Sequence, residues 1–126
     1  MKLIGKDEVL FELLKDVEIR ILDSMIKKIN IFTQGVEDLY IEIDFDYSQY
    51  KGYYLRLRFS GIKEYSFYHS NLHTFRYVEC FKLIKDNELF YLSLDPEDEF
   101  STVASDIDQD LIVCSSFEGY FIDPLG

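Results

Sequence analysis

The densest group of chemically capable side chains is residues 95–110, DPEDEFSTVASDIDQD, with seven carboxylates and no cation. Carboxylates at this density can coordinate a cation, exchange protons, or attract a basic partner. Asp106, Asp108 and Asp110 supply the D-x-D-x-D opening of a calcium loop, which must continue with Gly at its sixth position and Glu at its twelfth. Those positions hold Leu111 and Phe117, and Glu118 comes one residue late. The two histidines, His69 and His73, are four apart, a spacing that makes one metal-binding face only on a helix. The intervening Ser70-Asn71 reads as a turn, so neither set predicts a metal. Nor does the chain hold a GxSxG elbow, a GxGxxG or phosphate-cradling glycine loop, or HExxH. No catalytic residue and no cofactor is assigned.

The acidic stretch belongs to a larger asymmetry. The chain has 126 residues and a net charge of −11; all 13 Lys and Arg lie before Asp86, balanced there by 13 acids. The last 41 residues carry the remaining 11 acids and no Lys, Arg or His. Phosphate backbones and anionic membrane surfaces repel such a chain, so neither nucleic acid nor membrane is an expected partner. No uncharged run approaches the ~20 residues that a membrane span needs, and residues 1–8 show no signal-peptide core. Cys80 and Cys114 form no CxxC or Cys/His set and read as free thiols of a reducing compartment, the cytoplasm. A second candidate contact is Tyr47, Tyr50, Tyr53 and Tyr54 crowded around Ser48, Gln49 and Gly52. Rigid tyrosines beside small polar residues are a recognition-loop composition.

Strands position most of these groups. Residues 6–15, KDEVLFELLK, place Val9, Leu10, Leu13 and Leu14 on one helical face, with acids first and Lys15 last. After this short helix the β-branched alternation of Val17, Ile19 and Ile21 favours a strand, followed by another over 26–33. Residues 39–46 and 53–59 alternate strictly and predict a hairpin with partner numbers summing to 100. In that register Ile41, Ile43 and Phe45 meet Phe59, Leu57 and Leu55 on the buried side. Glu42 then meets Arg58, and Asp44 meets Arg56, on the wet side; a slip of one residue would ruin both faces. Further strands are predicted over 64–69, 75–84, 89–94 and 111–116, with a short one over 120–122. Lys85-Asp86-Asn87 turns between the second and third of these, and Pro96 ends the strand before it. Between them, 100–110 reads as a loop or brief helical turn, with Ser105 and Asp108 at capping-box spacing. The expectation is one domain, 1–126, of mainly β (α+β) class. It is a single antiparallel sheet or sandwich of about seven to eight strands with one short N-terminal helix.

LRLRFSGIKEYSF, LFYLSLDPEDE, SDIDQDLIV and FEGYFID resemble segments of uncharacterised small acidic bacterial proteins of the polymorphic-toxin immunity type. The likeness spans residues 53–123. That resemblance implies a cytoplasmic inhibitor that neutralises a basic toxin by mimicking phosphate charge; it assigns no residue. The residues themselves point to an acidic protein-binding module for a basic protein partner. Asp95, Glu97, Asp98, Glu99, Asp106, Asp108 and Asp110 would steer, and Tyr47 or Tyr50 would anchor. Two competing readings remain. One is a small-ligand or metal-binding β domain, including a carboxylate-based enzyme, in which Asp95, Asp98, Asp106 and Asp108 converge on a pocket. The other is a homodimeric structural subunit joined through a sheet edge or face.

Overall fold

The computed structural model describes residues 2–16, 21–36, 38–47, 53–68 and 77–123. Its elements are β1 (Lys2–Lys6), α1 (Glu8–Lys15), β2 (Met25–Gln34), β3 (Asp38–Tyr47), β4 (Tyr53–Ser66), β5 (Lys82–Asp86), β6 (Leu89–Asp95) and β7 (Gln109–Ile122). All seven strands form one antiparallel sheet in the order β2-β3-β4-β7-β6-β5, and β1 joins β7 off that path. The chain is therefore mainly β with one short helix, as its alternating pattern predicts.

The β3–β4 hairpin takes the expected register: Ile41 faces Phe59, Glu42 faces Arg58, Ile43 faces Leu57, Asp44 faces Arg56 and Phe45 faces Leu55. The apolar set is fully buried. Below it, Phe59 stacks on Phe117 at 5.9 Å and Phe90 tilts against Phe117 at 4.7 Å. One face of the sheet is closed by Leu10 and Leu14 of α1, with Ile21 and Val78. Asp7 ties the start of α1 to β7 rather than capping it. Its carboxylate accepts from Ser116 Oγ at 2.7 Å and Phe117 N–H at 2.9 Å.

Several expectations need correction. Val9 is exposed, so the buried helical face is narrower than its sequence suggests. The strand expected from Val17 falls mostly outside the described residues, and Ile21 is a core residue in no strand. Of the strand expected over 75–84, residues 75–76 lie outside the described residues and Tyr77 makes an isolated bridge to Met25. Residues 78–81 are in no strand, and β5 starts at Lys82, so Cys80 lies outside it. β1 was not anticipated, being five residues with no strict alternation. Conversely, 53–59 and 64–66 are one strand, as are 111–116 and 120–122. The reason is a phase break. Gly61 (φ +60°) sits against Ser115, whose Oγ would clash with a Cβ there. Core-facing positions jump across this point, from Phe59 to the partly buried Ile62 and from Phe117 to Cys114, so the period of two fails while the strands continue. Among the described residues no helix is long and apolar enough to cross a membrane.

Candidate functional site

The sheet's second face, opposite α1, divides into two differently built halves. Over β3, β4 and β7 it carries a charge ladder. Arg56 holds Asp44 through two bonds, of 2.8 and 3.0 Å, and Arg58 holds Glu42 at 2.6–2.7 Å. Arg58 also lies 5.4 Å from the Tyr120 ring centre, and the Tyr120 hydroxyl bonds Glu118. The Asp44 carboxylate holds the Arg56 guanidinium's pKa above its ordinary value. Bonding to Glu118, then burial, raises that of Tyr120. Glu42 and Asp44 are only 8% and 6% exposed. The ladder was expected in solvent, but its carboxylates are buried and only its arginines keep part of their surface exposed.

Over β5, β6 and β7 the second face is covered by the loop of residues 96–108, and one aspartate fastens it there. Asp108 turns inward and pairs with Lys82 Nζ at 2.6 Å, their side chains 0% and 2% exposed. The same carboxylate accepts Tyr91 Oη at 2.6 Å, Glu97 N–H at 2.8 Å and Ser105 N–H at 3.1 Å. Lys82 spends another proton on Val103 C=O at 2.9 Å. Burial alone would raise the Asp108 pKa. The bonds from Lys82, Tyr91 and the two amides outweigh it and hold the carboxyl below its ordinary value. Tyr91 shifts strongly upward, through burial first and its bond to Asp108 second. The Ser105–Asp108 spacing is thus half of a capping box, with the short Asp reaching back to the Ser105 amide. Ser105 Oγ in turn donates to Glu97 at 2.6 Å, and Asp98 takes the Phe100 N–H at 3.0 Å.

So fastened, the loop turns large apolar groups outward. Phe100, Val103 and Ile107 are 85%, 67% and 62% exposed, interleaved with exposed Glu97, Asp98, Glu99 and Asp106. Asp95 is half-buried at the end of β6. Asp108 and Asp110 lie inside the protein: Asp110, at φ +51°, accepts the Tyr68 N–H at 2.8 Å. Two of the seven carboxylates read as steering groups therefore have structural work in place of an exposed position. Tyr47 ends β3 opposite Tyr53, and Tyr50, His69 and His73 fall outside the described residues.

Beside the loop runs a groove of about 480 Å³, between Val103 and Ala104 on one wall and the strands' second face. None of Asp95, Asp98, Asp106 and Asp108 lines it, contrary to the convergence that a carboxylate pocket requires. Among the described residues no three His, Cys, Asp or Glu group as metal ligands. Both cysteines are free; burial pushes the Cys114 thiol up to about 12, and burial with Glu99, Asp95 and Glu79 raises Cys80. Neither thiol carries the depressed pKa of a nucleophile.

Sequence reasoning missed Lys82, Tyr91 and the exposed apolar trio. Lys82 did leave a signal: a lone cation between Phe81 and Leu83, opening the β5–β6 hairpin that leads into the cation-free acidic loop. Compared with protein-family models, curated proteins and solved structures, the chain matches none.

Proposed function

We propose that this chain is an acidic protein-binding module that docks the loop of residues 96–108 onto a basic protein partner, as an immunity-type inhibitor occludes a toxin or enzyme. The supporting observation is the loop's construction. A buried ion pair fastens it from within while Phe100, Val103 and Ile107 face solvent among four carboxylates. Exposing three large apolar side chains on a rigid segment carries a solvation cost with no folding benefit, whereas a partner's pocket would bury them. The surrounding carboxylates would steer the encounter and the apolar groups would set its lifetime. The setting in this reading is the cytoplasm, where unpaired thiols persist.

The test is affinity capture with the intact chain, identification of the bound protein, and measurement of its association and dissociation rates. A basic partner is expected, with association slowing about tenfold or more between about 50 and 500 mM salt. Replacing Glu97, Asp98, Glu99 and Asp106 by their amides should slow association, and Phe100→Ala should hasten dissociation. Salt-independent binding, or a partner indifferent to both changes, would overturn the proposal.

A further inference from the structure

The groove beside the loop has a regular floor. Glu64 of β4 pairs with Val113 of β7, Val113 with Tyr91 of β6, and Tyr91 with Ile84 of β5. These four side chains form one cross-strand row on the sheet's second face, and Leu89 extends the apolar surface in the next row. Three interstrand gaps of about 4.8 Å make this row about 14 Å long, the length of about four extended residues. The wall is Val103, whose carbonyl Lys82 holds from below. Floor and wall therefore share the buried pair that fastens the loop.

The charge around this apolar trough has one sign. Glu64 stands at one end of the row, and beyond its other end, Ile84, Asp86 follows on β5 beside Leu89 in the next row. Both acids are exposed, with Glu88 in the adjoining turn. The lining's one cation, Lys85, is engaged with Glu8 of α1. Val103 belongs both to the groove wall and to the exposed apolar trio, so the groove adjoins the proposed docking face.

We infer that the groove receives an extended segment of the partner protein, one or two large apolar side chains flanked by lysine or arginine. The apolar residues occupy the trough over Val113 and Leu89, and the flanking cations reach Glu64 and Asp86. This inference rests on the basic-partner reading and names where and by what chemistry that partner is gripped.

The test uses isotope-labelled full chain and three end-capped hexapeptides, followed by amide chemical shifts. One has Leu-Phe between pairs of lysines, one has Ser-Ser between the same lysines, and one has Leu-Phe between pairs of glutamates. The first should shift Ile84, Tyr91 and Val113, and bind about tenfold tighter than the other two. Glu64→Lys reverses one end's charge and Ala104→Trp fills the trough from an exposed position. Each should weaken that peptide at least about fivefold, with thermal melting showing that the variants are folded. Should the tryptophan variant fail to fold, the Glu64 variant carries the comparison alone. Equal binding of the serine peptide, shifts confined to residues 97–106, or no shifts at millimolar peptide would overturn the groove assignment. None of those results touches the basic-partner reading, which stands or falls on the captured protein and its salt dependence.

Discussion

Two sets of ion pairs lie on the same face of one sheet, and they teach opposite things. Glu42–Arg58 and Asp44–Arg56 join neighbouring strands of a hairpin, 16 and 12 residues apart, in a register that alternation alone dictates. Lys82–Asp108 joins a strand to a loop, and its environment is dry. The ladder's arginine side chains keep 22% and 31% exposure, so removing a carboxylate there leaves a cation that still touches water. Breaking the second strands a charge in the interior. The ladder specifies pairing; the buried pair determines where an entire loop lies.

The comparison can be broken first at its strong end. Asp108→Ala leaves Lys82 unpaired and two loop amides without an acceptor, and should cost about 3–5 kcal/mol in chemical denaturation. Hydrogen exchange at Glu97 and Ser105 should rise with it. The double variant Lys82→Met with Asp108→Asn removes both charges while keeping an acceptor, and should be more stable than Asp108→Ala alone. A double variant no better than the single would refute the view that the stranded charge dominates.

Tyr91→Phe keeps the ring and deletes one bond to a charged acceptor, for an expected loss of about 1.5–3 kcal/mol in the same measurement. Acid supplies a smaller, graded version. Asp108 has a folded pKa below its unfolded value of about 3.9, so its contribution is complete above that value. It is lost as pH falls through the lower folded value. The stability gap between wild type and Asp108→Asn should therefore be constant near neutrality and shrink below about pH 4. A gap that widens in acid would contradict the sign.

The weakest effect belongs to the ladder. Arg58→Ala should cost about 0.2–1 kcal/mol beyond the loss of its packed stem. A double-mutant cycle with Glu42→Gln isolates that coupling, which added salt should reduce. Coupling as large as that of Lys82 with Asp108 would erase the distinction between the two sets.

Legibility in the sequence follows the same division. The β3–β4 hairpin could be read because side-chain direction in a strand repeats every two residues, so two local patterns determine pairing, faces and charge partners together. The β5–β6 hairpin could be read from its turn, where Asn87 takes φ +57°. Reading failed where periodicity broke: at Gly61 and Ser115 one strand looked like two, and at β1 five residues offered too short a pattern. Of the candidate site, the acidic segment was visible as composition, but which of its carboxylates face water was not. Asp106, Asp108 and Asp110 alternate identically in sequence, yet Asp106 is exposed, Asp108 meets Lys82 and Asp110 holds Tyr68.

What the sequence determined by itself is thus the class of the fold, the central hairpin with its register, and the concentration of negative charge after Asp86. Each is a local or summed property, set by neighbours along the chain. Only the tertiary structure decided that β4 and β7 run unbroken through a change of phase, and that Lys82 swallows one carboxylate of the acidic loop. It also decided that the loop thereby presents Phe100, Val103 and Ile107. Those outcomes depend on which distant groups share a dry interior. A buried lysine tolerates no vacancy beside it, so the nearest carboxylate the chain can deliver comes inward and the rest of its segment is turned to the surface.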